Sequence, residues 1–105
     1  MKILDYSDKR CLVIEDRRPF LMLLKGLLNS LGATKITTEM SAEAGIKACR
    51  LKKFDIVVCD LHLGTNRKNG FEFLEEIRTL HLIRPSTVFI MISADSARSM
   101  VLGSI

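Results

Sequence analysis

The run IVVC at residues 56–59 is apolar at every position, and no other feature constrains the fold of this chain as strongly. A strand with one wet face alternates apolar and polar residues. A strand that is apolar throughout is buried on both faces, which is the pattern of parallel sheets covered by helices. Residues 11–14 (CLVI) and 87–93 (TVFIMIS) read in the same way. Between these strands the apolar spacing changes to that of helices. Phe20, Leu24, Leu27, Leu28 and Leu31 follow Pro19 and end at Gly32. Ser41 is placed as the N-cap of a helix reaching about Lys52, with Ala44, Ala48 and Leu51 on one face. Phe71, Leu74 and Ile77 form the inward stripe of a third helix over 71–80. A further strand is expected at 35–40 on β-branched content, and a fourth helix is expected to begin near Ser96. The resulting β-α-β-α-β-α-β-α series, with short connections, predicts an α/β fold: a doubly wound parallel sheet joined by right-handed crossovers.

Open sheets of this kind place their sites beyond the carboxyl ends of the strands. Four residues stand at those positions: Glu15 and Asp16 after the first strand, Asp60 after the third and Ser93 at the end of the fourth. Taken singly, each has an ordinary explanation as a turn residue, a helix cap or the acidic first turn of a helix. Their shared position at one edge of the sheet is what points to chemistry. Three carboxylates gathered there repel one another unless a cation joins them. An oxygen-only donor set suits Mg²⁺, which retains waters and shares ligands with phosphate. A carboxylate beside such an ion, with a hydroxyl opposite, is equipped to accept a phosphoryl group.

The motifs VIED, VVCDLHLG, NGFEFLEEIR and MISA, in this order and at these strand ends, resemble the receiver domain of two-component response regulators. The resemblance runs from about Arg10 to Ile105. It implies a flavodoxin-like receiver fold and transfer of a phosphoryl group to Asp60 from a histidine kinase or phosphotransfer protein. It also implies Mg²⁺ held by Glu15, Asp16, Asp60 and the backbone carbonyl of His62, with Ser93 as the switch hydroxyl. Such a domain is a signalling switch and not a turnover enzyme. Two other readings stand beside it: a receiver-like interaction module that is not phosphorylated, and a small phosphohydrolase of the haloacid-dehalogenase type. The latter class wants a second acid two residues after its aspartate, where this chain has His62.

The sequence departs from the family pattern in two places. Gly64 stands where the family usually has proline, and TNRKN lengthens the path to Gly70. The family's fifth strand, site lysine and closing helix find no counterpart before Ile105. The expected organisation is a lead-in over residues 1–9 and a receiver domain over 10–105 that lacks those last elements. That leaves the fourth strand as an apolar edge. The expectation is a fragment of a longer chain with an output domain beyond residue 105 or, for a chain that ends there, a second copy that completes the sheet as a homodimer.

Composition narrows the remaining classes. The net charge of +4 is spread over small groups, Arg17–Arg18, Arg50 with Lys52–Lys53, and Arg67–Lys68, with no aromatic interleaving, so direct nucleic-acid binding is not expected. Cys11, Cys49 and Cys59 lack metal or disulfide spacing and read as buried thiols. No apolar run is long enough to span a bilayer and no signal-peptide core is present, so the expected address is cytoplasmic.

Overall fold

A computed structural model describes residues 5–65 and 67–93, and the backbone of 99–104. The strands are β1 (Arg10–Ile14), β2 (Lys35–Glu39), β3 (Ile56–Asp60), β4 (Val88–Ser93) and β5 (Ser99–Ser104). The helices are α1 (Arg18–Ser30), α2 (Ala42–Leu51) and α3 (Gly70–Thr79). The sheet order is β2-β1-β3-β4-β5. The first four strands are parallel, and the order reverses direction between β1 and β3, as the doubly wound reading requires.

Strand alternation divides the core into two layers. Leu12, Ile14, Val57, Cys59, Phe89 and Met91 face α2 and α3, where they meet Ile46, Phe73 and Ile77. Cys11, Val13 and Val58 face α1 and pack on Leu21, Leu24 and Leu28. The rings of Phe73 and Phe89 lie with centroids 6.0 Å apart and planes tilted by 38°. Burying a side chain of this size stabilises by roughly 1.5–3 kcal/mol. The three cysteines are buried free thiols, and desolvation raises all of them, Cys49 to about 11.

The inward faces of the helices differ in detail from those read off the spacing. Leu27 and Leu31 of α1 are half exposed and Leu21 takes the inward position, one residue round the helix from the predicted stripe. Leu51 is 78% exposed, and α2 packs through Ala42, Gly45, Ile46, Ala48 and Cys49. In α3 the buried aromatic is Phe73 and not Phe71. Each of these helices offers two adjacent apolar stripes, and the angle at which it crosses the sheet selects one.

The chain after β4 also departs from expectation. The start of the helix expected near Ser96 lies outside the described residues, but Ser99–Ser104 is extended and pairs antiparallel with β4, Ser93 opposite Ser99 and Val88 opposite Ser104. The apolar edge predicted for the fourth strand is therefore covered by this chain's own β5. A parallel return requires a crossover of a dozen residues or more, whereas an antiparallel one fits the short connection and satisfies the edge N–H and C=O groups of β4.

Asp55 anchors the opposite end of the sheet. Its Oδ2 accepts the Arg10 N–H at 2.8 Å and its Oδ1 lies 2.6 Å from Arg84 Nη2. The Arg10 N–H, with Arg84 and Lys9 adding to it, holds the Asp55 carboxyl below its ordinary 3.8. A carboxyl whose folded value is depressed stabilises fully above the unfolded value and loses that contribution as pH falls through the folded one. Asp55→Asn is therefore expected to cost about 1 kcal/mol at neutral pH. In urea titrations the gap between parent and variant should close below about pH 4.

Candidate phosphoacceptor and metal site

The site is assembled from the carboxyl ends of β1 and β3. Parallel register sets Ile14 beside Cys59, so Glu15 and Asp16, which continue from β1, arrive next to Asp60, the last residue of β3. Oxygens of Glu15, Asp16 and Asp60 all lie within 4.8 Å of one another. Glu15 is fully buried, Asp60 is 1% exposed and Asp16 is half-buried.

This grouping has an electrostatic cost, and Glu15 carries it. Burial, the hydrogen bond and charge of Asp60, and the charge of Asp16 push its carboxyl up to about 8. Arg17, whose Nε is 3.5 Å from Glu15 Oε1, opposes the shift but is 55% exposed and bends over the Phe20 ring. Glu15 Oε2 accepts the Asp16 N–H at 3.1 Å, while Oε1 is buried with no hydrogen bond. A buried carboxylate oxygen that makes no hydrogen bond among the described residues, two further carboxylates within reach and no sulfur ligand among them match the needs of a hard divalent cation. Mg²⁺ therefore fits the residues present.

The loop that follows Asp60 is held close to the site. Asp60 Oδ1 accepts the His62 N–H at 3.2 Å, the Asp60 carbonyl accepts the Cys59 thiol at 3.2 Å, and the Leu61 N–H donates to Ile92 O at 2.7 Å. Gly64 has φ +104°, and a Cβ built there would stand 3.8 Å from Asp16 Oδ2. Proline, locked near −65°, cannot take that conformation, which explains why glycine stands at this point of the longer loop. The loop ends on Asn69, which caps α3 reciprocally with Glu72, and Lys68 Nζ reaches Glu76 Oε1 at 2.6 Å.

Gly70 is the residue whose role only the structure exposes. Its N–H donates to Leu61 O at 2.8 Å, and a Cβ there would fall 2.7 Å from the Asp60 carbonyl oxygen and 2.5 Å from Met91 Sδ. The N-terminus of α3 thus rests directly on the backbone of the proposed acceptor. Ser93 lies at the same edge, one residue beyond Ile92, which pairs with Asp60 in the register. It makes no hydrogen bond to the three carboxylates. Glu15, Asp16 and Asp60 meet in space as their strand-end positions predict, and Arg17 joins them. The placement of arginine directly after the acidic pair was the available signal.

Comparison with known proteins gives a consistent picture. The family described as response regulator receiver domain matches residues 11–105. Among solved structures, a CheY-like receiver domain from Methylobacillus flagellatus superposes with a TM-score of 0.71 at 25% identity, covering 81% of this chain and 69% of that one. The MaeR response regulator bound to beryllium trifluoride gives 0.71 at 21% identity, covering 82% and 67%. The chemotaxis response regulator CheY4 of Vibrio cholerae gives 0.70 at 16%, covering 86% and 74%. No curated protein sequence matches the chain.

Proposed function

This chain belongs to the family of response regulator receiver domains, and from that premise we propose that it is a phosphoacceptor switch of a two-component phosphorelay. The observation that carries the reading is the cluster of Glu15, Asp16 and Asp60 at the sheet edge, with Glu15 and Asp60 buried and Glu15 Oε1 without a hydrogen bond among the described residues. Asp60 attacks the phosphorus of a phosphohistidine on a histidine kinase or phosphotransfer protein. The P–N bond breaks, the imidazole leaves, and an acyl phosphate forms on an Asp60 oxygen. Glu15, Asp16, Asp60 and the His62 carbonyl would hold Mg²⁺, which would neutralise the charge that gathers on the transferred group.

The remaining steps belong to the protein's own groups. The His62 N–H orients the Asp60 carboxylate, and the Ser93 hydroxyl, at the neighbouring strand end, donates to a phosphoryl oxygen once one is present. Movement of Ser93 and of the loop after β3 is the conformational signal. The acceptor is consumed stoichiometrically, so the domain is a switch and not a turnover enzyme. A partner or an output domain reads the switched state. A cytoplasmic address forms part of this reading, and among the described residues no helix is long and apolar enough to cross a membrane.

Titration with beryllium fluoride in the presence of Mg²⁺, followed by amide NMR, tests it. Saturable shifts are expected at Asp60, Leu61, His62 and Ser93. Mg²⁺ alone is expected to stabilise the fold, by about 2.7 kcal/mol at a hundredfold excess over its dissociation constant. A chain that responds to neither reagent is not a phosphoacceptor, and the unphosphorylated interaction module would then take its place.

A further inference from the structure

At the other end of the sheet lies a group of cations that the phosphoacceptor reading does not use. Arg10 and Lys35, the first residues of β1 and β2, are direct partners in the parallel register. Alternation puts Arg10 on the face of Leu12 and Ile14, the face that packs against α2, and Lys52 caps the C-terminus of that helix. All three line one cavity of about 380 Å³, together with Thr37, Ile36 and Phe54, and no carboxylate lines it.

Like charges opposite one another on neighbouring strands destabilise a sheet. All three side chains are exposed, and among the described residues none of them forms an ion pair, so no protein group offsets this pair beyond the screening of solvent. The carboxylate that follows Phe54 is already committed: Asp55 is engaged by the Arg10 backbone, by Arg84 and by Lys9. The Thr37 hydroxyl lines the same cavity and can donate a hydrogen bond. A local rule broken without internal compensation marks a place where the compensation comes from outside.

We propose that this cavity is a second anion site, distinct from the carboxylate cluster, that binds a small ligand bearing a phosphate group, either free or on a small organic carrier. Four residues of extended chain lie between Arg10 and Glu15, so the two sites stand on the order of 15 Å apart. The volume falls within the range of small-molecule sites and exceeds what one phosphate fills. Arg10, Lys35 and Lys52 supply charge-assisted hydrogen bonds.

The test is an amide NMR titration of the full chain with inorganic pyrophosphate and, separately, with ribose 5-phosphate. Saturable shifts at Arg10, Lys35, Thr37 and Lys52 are expected, with a dissociation constant of about 1 mM or tighter for the better ligand. The ligand that binds more tightly identifies the source as free phosphate or an organic ester. Lys35→Gln with Lys52→Gln, both surface changes, should weaken that binding by about tenfold or more. Asp60→Asn should leave it unchanged. Shifts that stay linear for both ligands, shifts confined to the Asp60 edge, or equal affinity in the double variant would each overturn the proposal and leave these cations as solvated charge.

Discussion

Asp60→Asn is expected to incorporate no phosphate from an acyl phosphate donor with Mg²⁺ present, under conditions in which the parent chain gains one phosphoryl group by intact mass. An amide oxygen is too weak a nucleophile to displace the leaving group, so the loss is of the whole reaction and not a fraction of its rate. The substitution keeps the shape of the side chain and an oxygen able to accept the His62 N–H. It also removes one negative charge from the cluster of three carboxyl groups, the charge that helps push Glu15 up to about 8. Without metal the variant should therefore be at least as stable as the parent in urea. A variant that still takes up phosphate would place the acceptor elsewhere. A variant that simply unfolds would contradict the electrostatic account of the cluster.

Gly70→Ala is expected to act on stability and on the site together. The added Cβ meets two obstacles, and they differ in kind. Met91 Sδ, 2.5 Å away, is the far part of a flexible side chain, whereas the Asp60 carbonyl oxygen, 2.7 Å away, is backbone at the end of a central strand. The methionine can turn aside, but relief from the carbonyl requires α3 to lift or β3 to shift. Overpacking of this sort costs about 1–3 kcal/mol, against which the better helix propensity of alanine returns up to about 1 kcal/mol. The N–H of residue 70 would also be drawn away from Leu61 O, the contact that seats the loop after Asp60. The checks are a lowered urea midpoint together with weakened beryllium fluoride binding. Full stability with full binding would show that the close approach carries no consequence.

The fold is legible in residues 11–14, 56–59 and 87–93, because a strand buried on both faces leaves its mark in every one of its residues. The site was legible for the same reason. Strand ends are set locally, and parallel topology brings the residues after β1 and β3 to one edge whatever the detail of packing. Helix faces were less legible. Leu27, Leu31, Leu51 and Phe71 are as apolar as the residues buried in their place, and spacing alone does not say which of two adjacent stripes a sheet will cover. The antiparallel β5 was not legible at all, since its stability lies in the unpaired edge of β4 and not in its own residues.

By itself, then, the sequence determined the alternation of strands and helices, the parallel order of the first four strands, and the meeting of Glu15, Asp16 and Asp60 at one edge. Tertiary structure alone decided that Glu15 is sealed from solvent with one oxygen that makes no hydrogen bond among the described residues, and that α3 can start against the Asp60 carbonyl only through Gly70. It also decided that Arg10, Lys35 and Lys52 share one cavity. The difference is physical: hydrophobic period and strand ends are properties of neighbours along the chain. Desolvation, close approach and shared cavities depend on which distant segments arrive, and at what distance.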